Sequence, residues 1–95
     1  MGFGRNWKRD AIIKTIGDLG GVSRALHIAE KVPRLTSRMV GSYITNNMLG
    51  RYVDIVRKRR TGAKGRGGSF YNTYGLNNDG WDRYWVLMER ELNDS

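Results

Sequence analysis

The chain has 95 residues, with 17 Lys or Arg against 9 Asp or Glu, a formal net charge of +8 and no cysteine. That length suits one domain with a single modest core, and the lack of cysteine excludes disulfides and thiolate metal sites. No apolar stretch approaches the roughly 20 residues of a membrane span. The first ten residues are polar and basic with no apolar signal core behind them. The expectation is a soluble, cytoplasmic chain without a membrane partner.

The charge is unevenly spread. Residues 1–78 hold 15 basic and 4 acidic side chains, a net of +11, whereas residues 79–95 hold 2 and 5, a net of −3. A cationic body with an acidic end points to a polyanion as partner.

In chain order, Trp7 to Leu19 reads as a helix. Ile12, Ile16 and Leu19 fall at i, i+4 and i+7 with Ile13 beside them, and Gly20-Gly21 stops it. A second, short helix is predicted over Ser23–Lys31, with Ser23 as N-cap, Leu26, Ala25 and Ala29 facing inward and Pro33 ending it. The third helix starts at Thr36, a good N-cap. Leu35 before it and Val40 within it have the spacing of a hydrophobic staple. Val40 and Ile44 point to the core, which turns Arg38, Gly41, Ser42, Thr45 and Asn46 outward, and the helix ends around Asn47 to Gly50.

The periodicity then changes. Arg51–Arg59 and Ser69–Leu76 are rich in β-branched and aromatic residues and read as two strands of a hairpin. Its tip, Arg60–Gly68, is rich in glycine, and six of the ten residues from Arg57 to Arg66 are basic. The last segment reads as a helix from Asp79, taken as N-cap, to about Leu92. It carries a stripe of Trp81, Trp85, Met88 and Leu92, with Tyr84 beside it. The fold class is α+β, mainly helical, and the whole of 1–95 forms one domain.

This order resembles the winged helix-turn-helix domains of small bacterial and archaeal regulators, over about residues 8–92. The most specific piece is Tyr74-Gly75-Leu76-Asn77-Asn78-Asp79-Gly80, similar to the Y-x-L-T-x-x-G string that closes the wing in many of them, with Asn77 in place of Thr. Leu49-Gly50-Arg51-Tyr52-Val53 sits where their L-G-x-V exit from the recognition helix falls. One departure concerns the core residue that the family places seven after the first core position of that helix. Seven after Val40 is Asn47, with Met48 as the substitute.

The resemblance implies three helices, a two-stranded wing and a C-terminal helix, with the recognition helix at about 36–48, the wing at 51–76 and the last helix at 79–92. It implies that the third helix enters the major groove of double-stranded DNA. Thr36, Ser37, Arg38, Gly41, Ser42, Thr45 and Asn46 then face the bases, Arg38 suiting guanine and Asn46 adenine, while Gly41 permits close approach. Tyr43 packs on the core or meets a phosphate. Arg57, Arg59, Arg60, Lys64 and Arg66 of the wing meet phosphates or enter a minor groove. The stripe of Trp81, Tyr84, Trp85, Met88 and Leu92 either packs on the first helix or forms a homodimer interface, which Trp7 would join. A dimer is favoured, since an apolar patch that large marks an interface.

Nothing points to an enzyme, a cofactor or a metal. His27 is the single histidine, and Asp10, Asp18, Glu30 and Asp54 lack ligand spacing. The tip lacks the Gly-Lys-Ser/Thr of a P-loop, and one Arg66-Gly67-Gly68 does not make an RNA-binding tract. The expected function is a sequence-specific transcription regulator reading a palindrome. The alternative is a centromere-site-binding protein of a plasmid or chromosome partition system, which spreads on DNA and recruits an adaptor or a partition ATPase. RNA or ribosome binding and an architectural role are further alternatives.

Overall fold

A computed structural model describes residues 7–60 and 70–94. It is α+β and mainly helical, with elements in the order α1 (Trp7–Asp18), β1 (Val22–Arg24), α2 (Ala25–Lys31), α3 (Ser37–Tyr43, continued by a π-helical turn over Ile44–Met48), β2 (Val53–Arg60), β3 (Phe70–Leu76) and α4 (Asn78–Asp94). The sheet has three strands in the order β1-β3-β2, all antiparallel. The expected two-stranded hairpin has therefore gained a third strand, because the extended residues after α1 pair with β3 from Val22↔Gly75 to Arg24↔Thr73. Three residues are too few to announce a strand by periodicity. In β2 one extra residue, Val56, interrupts the register between Ile55↔Tyr74 and Arg57↔Thr73, a bulge that bends and twists the strand.

One core serves the four helices and the β2–β3 pair. Ile12, Ile13 and Ile16 of α1, Ile28 of α2, Leu35, Val40, Ile44 and Met48 around α3, Val53, Tyr74 and Leu76 of the sheet and Tyr84 of α4 form a single buried cluster. Three expectations are corrected here. Ser23 lies in β1 and does not cap α2, whose N-cap Arg24 makes no side-chain capping bond. With the start moved, the inward stripe becomes Ala25, Ile28, Ala29 and Val32, and Leu26 is left 52% exposed. Leu19 is likewise exposed, since α1 ends one residue before it. There the Gly20 amide donates to Gly17 O and the Gly21 amide to Ile16 O, with φ of 99° and 96°, a Schellman closure that turns the chain away.

The start of α4 is also corrected. Asn77, not Asp79, caps it: its side chain accepts from the Gly80 amide at 2.9 Å, and its own amide donates to Tyr52 O at 3.0 Å. Asparagine is among the residues best suited to this capping position. Gly80 belongs there because a Cβ would run into the Tyr52 carbonyl oxygen.

α1 and α4 are locked by a mixed contact. The Tyr84 ring lies directly on the bare Cα of Gly17, and its hydroxyl donates to Asp18 Oδ1 at 2.7 Å. Lys14 Nζ reaches Asp18 Oδ2 at 3.0 Å and Glu91 Oε2 at 3.2 Å, and Arg83 bonds both carboxylate oxygens of Asp10 at 3.2 and 3.1 Å. Burial pushes the Asp18 carboxyl up, but the bonds from Tyr84 and Lys14 outweigh it and hold the group below the usual carboxylate range. The same bond to Asp18, together with burial, holds the Tyr84 phenol above its ordinary value.

Two outcomes follow from this lock. Alanine for glycine inside a helix ordinarily gains about 1 kcal/mol, but Gly17→Ala drives a methyl into the buried Tyr84 ring and should cost about 1–3 kcal/mol in urea unfolding. A lowered carboxyl and a raised phenol both favour the folded state between their unfolded values, so this stabilisation is lost as pH falls below about 4 and as it rises above about 10. Tyr84→Phe should cost about 1 kcal/mol at neutral pH, kept small by the half-exposed carboxylate, and the difference from wild type should shrink at both ends of a pH–stability series.

Candidate nucleic-acid interface

The candidate surface is α3, and its geometry is set at both ends. At the start, Thr36 Oγ1 accepts from the Met39 amide at 3.1 Å, and Leu35 and Val40 are both buried in the core cluster, as the capping and staple pattern predicts. At the end, the Leu49 amide donates to Ile44 O, five residues back, at 2.8 Å. This π turn holds one residue more than an α turn. It carries Met48, eight after Val40, onto the core face, where it is fully buried, and leaves Asn47 exposed. Met48 therefore fills the place that Asn47 cannot.

With Val40, Ile44 and Met48 turned inward, Thr36, Ser37, Arg38, Ser42, Thr45 and Asn46 are all exposed. They form a face of small polar side chains with one arginine. Asn46 Nδ2 approaches Ser42 Oγ at 3.4 Å, and Asn47 Nδ2 donates to Tyr43 O at 3.3 Å. Gly41 stands apart: it is half-buried, and a Cβ there would point toward the Tyr74 hydroxyl at 3.8 Å. It marks the flank of α3 that meets β3. Tyr43 is half-buried against the core and also lines the opposite flank, where a shallow groove is bounded by Lys8 of α1 with Arg38, Met39, Ser42 and Asn46 of α3.

Lys8 and Met39 were not singled out from the sequence. Nothing local says that the first turn of α1 lies beside α3, and Met39 falls between the core and outward positions of a helical wheel. The backbones of Arg57, Arg59 and Arg60 belong to β2, paired with Thr73, Tyr71 and Phe70. Their side chains, and all of Lys64 and Arg66, lie outside the described part of the chain.

The aromatic stripe of α4 divides. Tyr84 is spent on α1, with 7% of its surface left. Trp81 is half-buried over Gly21, and Met88 is half-buried on the core, as is Trp7 of α1. Trp85 and Leu92 remain 60% and 74% exposed. Trp85 stacks on Trp81, with ring centroids 6.2 Å apart, and meets Tyr84 edge-on at 5.0 Å. One part of the stripe thus packs on the first helix and the core, and another stays apolar at the surface.

Among the described residues no helix is long and apolar enough to cross a membrane. Comparison of the chain with protein-family models, with curated proteins and with solved structures gives no match.

Proposed function

We propose that this protein is a sequence-specific double-stranded-DNA-binding protein of winged helix-turn-helix layout, acting as a homodimeric transcription regulator. The observation that supports it most is the outward face of α3. Six small or cationic polar positions are exposed together on a helix whose other side is held by three buried apolar residues. Such a helix can enter a major groove as a rigid unit, and Arg38 supplies the fork that suits guanine O6 and N7. The strand β2 that follows carries Arg57, Lys58, Arg59 and Arg60 in sequence, a cation density suited to phosphates.

Pairing through α4 is the second part of the reading, supported by the exposed Trp85 and Leu92. A two-fold pair would present two α3 helices to inverted half-sites about one helical turn apart. Whether the site serves a promoter or a partition locus is a matter of where it lies in the genome.

Selection from a pool of randomised duplexes at near-physiological salt tests the reading. A palindromic motif is expected. Binding without a motif would instead fit an architectural protein, and no duplex binding would overturn the proposal. Arg38→Ala should lose about 1–3 kcal/mol of discrimination at one base pair per half-site while keeping its affinity for random DNA. Trp85→Asp should sediment as a monomer and lose the advantage of a full palindrome over a half-site; an unchanged sedimentation coefficient, already dimeric or already monomeric, would remove the α4 interface.

A further inference from the structure

The groove between α1 and α3 joins two features that the core does not use. Lys8 brings a cation from the first turn of α1, and Met39, 40% exposed, brings a soft apolar side chain from the flank of α3; Arg38, Ser42, Tyr43, Asn46 and Asn47 complete the lining. Core packing on this helix is carried by Val40, Ile44 and Met48, so it does not account for the thioether. Nor does a phosphate-binding surface as such, which calls for charge and hydrogen-bond donors.

Among the base edges of a major groove, one group is apolar, the C5 methyl of thymine. It projects from the edge of the base nearest the phosphates of its own strand. An apolar side chain with a cation beside it matches a methyl with a phosphate beside it. Methionine, unbranched and polarisable, adapts its shape to such a contact.

Building on the DNA-binding reading above, we propose that this groove is a subsite for one thymine nucleotide of the bound duplex, with Met39 covering the C5 methyl and Lys8 holding the adjoining phosphate. Sequence preference then comes from two kinds of contact on one helix: hydrogen bonds from the outward face and an apolar contact from the flank. The α1 side of the interface gains a phosphate anchor of its own.

The test uses the full chain and the tightest duplex recovered by selection, with each thymine in turn replaced by deoxyuridine, which lacks only the methyl. At one thymine per half-site the replacement should weaken wild-type binding about three- to fivefold, the size of one buried methyl. Met39→Ala should bind both duplexes alike, and Met39→Leu should keep the sensitivity. A neutral methylphosphonate at the adjoining linkage should weaken the wild type and leave Lys8→Gln unaffected, and Lys8→Gln should lower the salt slope by about one per chain. Circular dichroism spectra matching wild type would show that these variants fold.

A motif in which every thymine can be replaced without loss overturns the subsite and leaves the DNA-binding reading standing. So does a loss that persists unchanged in Met39→Ala, or a methylphosphonate effect that persists in Lys8→Gln. Failure of the wild type to bind any duplex overturns both.

Discussion

The last turn of α3 holds one residue more than an α turn, and much of the candidate surface depends on it. Val40, Ile44 and Met48 follow one another at four-residue spacing, whereas the position seven after Val40, where the similar domains place a core residue, holds Asn47. Burying that amide without partners costs free energy, whereas Met48 brings an apolar side chain of suitable size. The π turn, closed by the Leu49 amide on Ile44 O, has Met48 buried and Asn47 exposed. It anchors the helix on three buried side chains and leaves Asn46 and Asn47 at the surface. π turns of this kind are rare and concentrate at functional positions.

The second constraint is the contact between α1 and α4. A chain of this size has one core to share, and α4 gives Tyr84 to its buried cluster, with Trp81, Leu87 and Met88 packed against it. The ring fits because residue 17 has no side chain, and the hydroxyl is satisfied because Asp18 follows at the helix end. Around this point Lys14, Glu91, Arg83 and Asp10 arrange opposite charges across the two helices. Lys14 of α1 thereby offsets Glu91 of the acidic end, Arg83 of that end offsets Asp10 of α1, and Arg38 of α3 stays exposed. α1 has a double role in the proposed complex, since its last turn holds α4 and its first turn lines the groove beside α3.

Much of this was legible in the residues themselves. The Thr36 cap, the Leu35 and Val40 pair and the glycine stop after α1 each rest on local chemistry and stand where they were expected, and the change to strand expected at residue 51 comes two residues later, at Val53. The misreadings share a cause. Ser23 is a good capping residue, but pairing with β3 takes it into a strand. Asp79 is a good capping residue, but Asn77 holds the position because its backbone is tied to Tyr52. Leu26 and Leu19 are apolar without being buried, because a shift of one or two residues in a helix boundary turns a side chain through most of a half-circle.

Composition and charge placement determined that the chain is basic over most of its length and acidic at its end, which is what the proposed polyanion partner rests on. Periodicity determined where helices give way to strands. Those properties are carried by neighbouring residues and need no partner to express them. Only the tertiary structure decided that Met48 replaces Asn47, that Tyr84 is used up within the chain while Trp85 is not, and that Lys8 and Met39 share a groove. Each depends on residues far apart in sequence competing for the same space, and close packing in a small core, not local preference, settles such competition.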